Sequence, residues 1–212
     1  MKIKNSSLFI LIGLFFLILS GCSKNEDTPE PGVTTGTFID SRDQQVYDWV
    51  KIGTQTWMTE NLAYKLDSGC WVFDNNESNA KVYGYLYTWE FAQTIAPKGW
   101  HLPSQDEWQT LVDYLGGADE AYDKLLESGV THWFSPNSGN NESKFTALPS
   151  GYFDQRDNSF NYLGHLTMFH SSTESSSRPT FGIGMILNPN YPESLIEGRP
   201  KMLALPIRCI KN

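Results

Sequence analysis

Cysteine is scarce: Cys22, Cys70 and Cys209 are the three in a chain of 212 residues. Once Cys22 is otherwise engaged, at most one internal bridge can form, between Cys70 and Cys209. An oxidising compartment would permit that bridge, and two buried unpaired thiols are the competing reading. Positive charge is also in deficit, with 16 lysines and arginines against 24 aspartates and glutamates. No Lys/Arg cluster occurs that could displace counterions from phosphates, which argues against nucleic acid as a partner. Catalytic signatures are missing too: the chain has no Gly-x-Ser-x-Gly elbow, no His-Glu-x-x-His zinc pair and no phosphate-cradling glycine loop. Gly182-Ile183-Gly184 lacks the third glycine and the helix of a nucleotide loop, and reads as a tight strand. Long apolar runs are absent except for one, Leu8 to Leu19.

Lys2 and Lys4 precede that run, and Leu19-Ser20-Gly21-Cys22 follows it. As a helix the run covers about 18 Å, short of the roughly 20 residues that a membrane span needs. Residues 1–21 therefore read as a cleavable signal peptide. Small residues at 20 and 21 give a peptidase access to the bond before Cys22. The pattern resembles a bacterial lipobox, whose cysteine thiol carries a diacylglyceryl group. Cys22 is thus the expected lipidation site, and two or three acyl chains hold durably where one holds marginally. An ordinary secretory leader with a chance cysteine is the alternative. Residues 22–36 contain Pro29 and Pro31 and no large apolar side chain before Val33, which suits a disordered tether with a reach of about 20 Å. Its acids, Glu26, Asp27 and Glu30, resemble the export signal by which Bacteroidetes lipoproteins reach the outer face of the outer membrane, although any solvated tether contains acids. The expected location is the cell envelope, lipid-anchored, at the outer membrane and extending to the cell surface. Removal of the leader leaves 14 basic and 24 acidic residues, a net charge of about −10.

Residues 37–212 read as one folded domain, with no internal repeat or second linker. Val46 to Ile52 alternates, turns at Gly53-Thr54 and returns through Gln55 to Met58, a hairpin. Ser104-Gln105-Asp106-Glu107 is a capping box, and Trp108, Leu111, Val112 and Leu115 follow it as one apolar helical stripe ending at Gly116-Gly117. A second helix is predicted from Asp119 to Ser128 with Tyr122, Leu125 and Leu126 inward, and an earlier one from Thr88 to Ile95. An aromatic strand is predicted up to Asp74-Asn75-Asn76. Later strands are predicted over Phe145 to Phe153, Phe160 to Leu163, Leu166 to Ser172, Phe181 to Leu187 and Met202 to Ile210. Helices in the middle with strands around them argue an α+β fold rather than a parallel α/β sheet.

Ordered blocks then point to a family. Val50 to Leu62 (VKIGTQTWMTENL), Tyr83 to Trp89, Gly99 to Ser104 with Glu107-Trp108, Ala147 to Tyr152, Ser171 to Glu174 and Ile207 to Cys209 resemble, in order, the blocks of the Fibrobacter succinogenes major paralogous domain. The Leu-Pro-Ser-x-x-Glu-Trp segment is also similar to one in formylglycine-generating-enzyme-like domains. That resemblance implies a C-type-lectin-like fold: short antiparallel strands around two to three central helices, chain ends meeting in a small sheet, and irregular loops offering a ligand surface. Family members commonly carry further cysteines near Ala80 and Ala96, which puts a Cys70–Cys209 bridge in doubt. The related oxidase chemistry needs a closely spaced cysteine pair that this chain lacks. An aromatic residue is expected where His170 stands, so the exposed surface there is expected to differ.

Candidate sites are few. His101, His132, His165 and His170 are unrelated in spacing, and such histidines are usually structural. Asp154, Asp157 and Asn158 read as a polar turn between Phe153 and Phe160 rather than a calcium site, so no metal and no cofactor are expected. Most of the seven tryptophans are expected in the core, with Trp133, beside His132 and Phe134, as the exposed one available for stacking. A second patch is expected from His170, Glu174 and Arg178 with the loop containing Asn190 and Tyr191. These residues suggest a binding module for a glycan or a protein. The alternatives are a structural or adhesive part of an envelope assembly and, behind it, an enzyme of unrecognised type.

Overall fold

The structure, a computed structural model, describes residues 33–212. The leader, Cys22 and the tether up to residue 32 lie outside the described residues. Strand β1 (Thr34–Ile39) begins within the segment expected as tether, so ordered backbone starts before residue 37. It is held by full antiparallel pairing with β2 (Val46–Ile52), Thr34 opposite Lys51 and Ile39 opposite Val46. Gly36 is required by this pairing, because a Cβ there would lie 2.5 Å from the Trp49 ring. Asp40 closes the hairpin, accepting a two-toothed bond from the Arg42 guanidinium, whose other nitrogen donates to the Ile95 carbonyl at 2.6 Å.

Strand β3 (Gln55–Met58) returns from Gly53, whose φ of +61° suits a residue without a side chain. A short pair follows, β4 (Cys70–Trp71) against β5 (Leu86–Tyr87). Between them lies a helix that periodicity does not reveal, α1 (Glu77–Tyr83), capped by Asn76, whose side chain accepts from the Ser78 amide at 3.1 Å. The strand expected up to Asn76 is thus two residues long and gives way to a 3₁₀ turn over Phe73–Asn75. Helix α2 (Trp89–Ala92) is shorter than the expected span from Thr88 to Ile95, with Thr88 as its N-cap. Strand β6 (Trp100–His101) leads to α3 (Gln105–Tyr114) and α4 (Ala118–Leu125). The capping box is present in both directions: the Ser104 hydroxyl accepts from the Glu107 amide, and Glu107 accepts from the Ser104 amide at 2.8 Å. α4 stops before Ser128 because Leu126 is extended and bridges Ala147.

The second half is more broken than hydropathy suggests. Residues 145–151, expected as strand, are irregular: Thr146 and Gly151 have positive φ and Pro149 intervenes, leaving β7 (Tyr152–Asp154) and its partner β8 (Ser159–Asn161). β9 (Thr167–Glu174) and β10 (Phe181–Leu187) pair as a long ribbon, and β11 (Ile196–Pro200), which the sequence did not suggest, adds to its edge. Pro206 separates β12 (Leu203–Ala204) from β13 (Ile210–Lys211). The largest sheet has the order β1-β2-β3-β13-β6, so the first strands and the last share one sheet. Smaller sheets run β11-β10-β9 and β12-β7-β8. The architecture is a sheet-rich mixed α+β fold.

The main core joins the large sheet to α3 and the β9–β10 ribbon. Trp57 and Trp108 stack at 4.5 Å, Phe145 meets Trp57 edge-on, and Phe169 stacks on Trp108. The expected α3 stripe of Trp108, Leu111, Val112 and Leu115 is buried, as are Tyr122, Leu125 and Leu126. Cys70 and Cys209 are both free thiols. Cys70 is engaged within its own loop, its Sγ 3.3 Å from the Leu66 amide, while Cys209 is sealed in the sheet. Cys70, Ala80 and Ala96 pack on one apolar cluster, the neighbourhood where relatives are expected to hold further cysteines.

Candidate functional site

A concavity of about 670 Å³ opens where three loops meet over the end of the β9–β10 ribbon. That size falls in the range of small-molecule sites. Its floor is apolar: Leu166, Met168, Ile186 and Leu203 belong to one buried cluster. Its rim is aromatic and polar. Phe134 comes from the loop after α4, Tyr162 and His165 from the turn after β8, and Asn190 and Tyr191 from the β10–β11 connection.

Local bonding holds each rim segment in place. The Phe134 amide donates to the Gly164 carbonyl at 2.8 Å, and the Gly164 amide donates to Pro149 at 2.9 Å. Gly164 has φ +81°, and a Cβ there would sit 3.0 Å from the Phe134 ring, so the glycine serves both the turn and the ring. Phe134 then meets His165 edge-on at 4.7 Å. Tyr162 stacks on Tyr152 at 5.8 Å and is itself left-handed, φ +64°, a conformation that costs a tyrosine about 1 kcal/mol. Burial, and then the neighbouring Tyr162, push the Tyr152 hydroxyl above its usual pKa, so it remains a donor at neutral pH. In the β10–β11 connection the Asn188 side chain accepts from the Asn190 amide at 3.0 Å, and the Asn188 carbonyl accepts from the Tyr191 amide at 3.0 Å. Arg199 on β11 reaches the cleft with its guanidinium fixed by Glu197 at 2.7 Å. No aspartate or glutamate lines it.

The residues expected from sequence divide sharply. Phe134, Asn190 and Tyr191 converge on this cleft. Trp133 does not: it is 1% exposed, its indole N–H donating to the Ala147 carbonyl at 3.0 Å, and it is Phe134, 60% exposed, that faces out. The chain bends at this point, and the two neighbours are drawn apart by different partners: the Trp133 indole by Ala147, the Phe134 backbone by Gly164. His170 is also buried, within β9, where its Nε2–H donates to the Tyr87 carbonyl at 2.9 Å, so it does not alter the surface. Glu174 and Arg178 lie at the far end of the ribbon. Glu174 opposes Gly182 whereas Leu187 opposes Thr167, and at about 3.3 Å per residue the length of β10 sets them some 20 Å from the Asn188 to Tyr191 loop. Glu174 pairs with Lys201, and Arg178 lies over the Phe181 ring. The expected second patch is therefore dispersed.

Tyr152, Tyr162, His165 and Arg199 were not foreseen as site residues. A signal existed for two of them: Tyr162 and His165 flank Leu163-Gly164, a turn signal whose neighbours tend to be presented to solvent. Nothing local marked Arg199, which joins the cleft through pairing of β11 with β10. The Asp154 to Asn158 segment is the expected polar turn, with Asp154 bound by Arg156 at 2.6 Å and Asn158 at φ +56°.

Fold and cleft together define a sheet-rich α+β domain with an open, aromatic-rimmed concavity on loops between its last strands. The family model of the Fibrobacter succinogenes major domain matches residues 50–211, most of the chain, and the protein belongs to that family. No curated protein and no solved structure matches it.

Proposed function

We propose that this protein is a lipid-anchored envelope lipoprotein whose folded domain binds a glycan in the cleft between Phe134, Tyr162 and Tyr191. The observation that carries this reading is the grouping of exposed aromatic rings. Phe134, Tyr162 and Tyr191 are 60%, 55% and 62% exposed, and all three line one concavity. Sugar rings present apolar C–H faces edged by hydroxyls, which suit aromatic faces bordered by the donors and acceptors of Asn188, Asn190, His165 and Arg199. The left-handed Tyr162 supports the reading, since strained backbone gathers at ligand sites.

A C-type-lectin-like scaffold is in keeping with this proposal: the first and last strands share a sheet, and the cleft lies on irregular loops of a separate ribbon. The alternative, an assembly component, would call for a partner-sized apolar patch. Ile39 and Val46, both exposed and paired at the tip of the β1–β2 hairpin, are a small feature of that kind.

Glycan-array binding by the detergent-solubilised full-length chain tests the proposal. Tyr162→Ala and Tyr191→Ala are each expected to weaken binding about fivefold or more, the loss of roughly 1 kcal/mol of ring contact. Binding unchanged by both substitutions, or no binding at all, would sink it.

A further inference from the structure

We infer that the ligand is a linear glycan chain of several units rather than a single terminal sugar, an extension that rests on the glycan reading of the aromatic cleft. A second depression of about 370 Å³ lies beside the first and shares Pro136 and Pro189 with it as a common wall. A ligand that fills the first cleft and continues over these two prolines enters the second. Both prolines have fixed φ, so the crossing is stiff and little backbone freedom is lost when a ligand lies on it.

The two depressions differ in chemistry. The first has aromatic rims, an arginine and no carboxylate. The second is lined by Asp119 and Asp123 together with Tyr122, Ser138 and Pro192. Asp119 is exposed in the first turn of α4. Asp123 is half-buried, and its Oδ1 accepts the Ser138 hydroxyl at 2.5 Å. Asp123 Oδ2 has no partner among the described hydrogen bonds, which leaves it able to accept from an incoming hydroxyl. Vicinal sugar hydroxyls are paired donors, and ionised carboxylates are the strongest acceptors that a protein offers them. A chain of pyranoses thus meets, in succession, a surface for a ring face and a surface for a hydroxyl edge. A lone monosaccharide in the aromatic cleft would leave the second depression to water.

The test is affinity against chain length, measured by calorimetry on the full-length chain in detergent. The probes are ladders from one sugar to about six of β-1,4-glucan, β-1,3-glucan, α-mannan and β-xylan. The expected result is a rise of about tenfold or more between one and four units in at least one ladder. The double variant Asp119→Asn/Asp123→Asn should lower the ratio of tetramer to monomer affinity about fivefold. The amides keep the shape of the carboxylates, and an unchanged melting temperature checks that the fold is retained. Binding that depends on Tyr162 but not on length, or a ratio unmoved by the aspartate variants, overturns the extension and leaves the cleft reading standing. Absence of binding both to every ladder and to the glycan array overturns both.

Discussion

Arg208 carries its charge into the interior with no carboxylate in contact. Its guanidinium makes six hydrogen bonds, two to Asn61 Oδ1 and one each to the carbonyls of Met58, Thr59, Phe145 and Thr146, and it lies over the Phe145 ring at 4.5 Å. Burial pulls its pKa down to about 9, still high enough to keep it charged at neutral pH. The planar fork thereby ties β3, β13 and the irregular 145–146 segment together, which a lysine's point charge could not do. His170 takes the opposite course and is buried neutral. Burial lowers its pKa from 6.5 to about 4 against the opposing effect of the Tyr87 carbonyl. The unfolded chain therefore binds the extra proton first, so this group leaves stability untouched above about pH 6.5 and erodes it as pH falls towards 4. Between pH 7 and 4.5 that loss amounts to about 2 to 3 kcal/mol. His170→Gln retains a donor for Tyr87 and is expected to lower stability at pH 7 modestly while removing that increment of acid sensitivity. Denaturant midpoints of both proteins at the two pH values would check it, and equal losses in the two would refute it.

At the scale of elements, the α3 N-terminus gathers more than its helix. Glu107 accepts from the Ser104 amide and hydroxyl with Oε2, and its Oε1 lies 2.8 Å from His101 Nε2. His101 Nδ1 in turn meets Asn212 at 2.7 Å, so the capping box also fastens β6 and the last residue of the chain. Burial alone would raise the Glu107 pKa, but the bonds from Ser104 and His101 hold it below the usual carboxylate value. Ser104→Ala is expected to cost about 1 kcal/mol, the ordinary loss of a cap. Glu107→Ala removes the contacts to both Ser104 and His101 and is expected to cost about 2 kcal/mol. Urea midpoints compare the two, and a Glu107 variant no worse than the Ser104 variant would contradict this account. The β2–β3 hairpin and α3 were legible because each combines a regular period with its own stop signal. The 145–151 segment was not, because its apolar residues belong to a chain bent by positive φ at Thr146 and Gly151, and hydropathy does not register such bends.

At the scale of the whole molecule, the residues that carry the family resemblance and those that form the cleft are largely different sets. Trp57, Trp108, Asn61 and Arg208 lie in the recognisable blocks and build the core and its buried cage. Phe134, Tyr162, His165, Asn190, Tyr191 and Arg199 lie between blocks, and of the rim aromatics Tyr152 alone falls within one. Attachment is tested on whole cells: growth with labelled palmitate is expected to label the protein, and Cys22→Ala is expected to leave the membrane fraction. An unlabelled chain, or a membrane-bound Cys22→Ala form, would overturn the anchor. No helix among the described residues is long and apolar enough to cross a membrane. The sequence by itself determined the family, the α+β class, the capped α3 and the β2–β3 hairpin, because each is written in neighbouring residues whose period or order carries the information. Only the tertiary structure decided which aromatics are sealed and which are offered. Trp133 and Phe134 are adjacent and chemically alike, yet packing on Ala147 takes one, the turn at Gly164 presents the other, and strand pairing more than 50 residues later brings Tyr191 and Arg199 beside it.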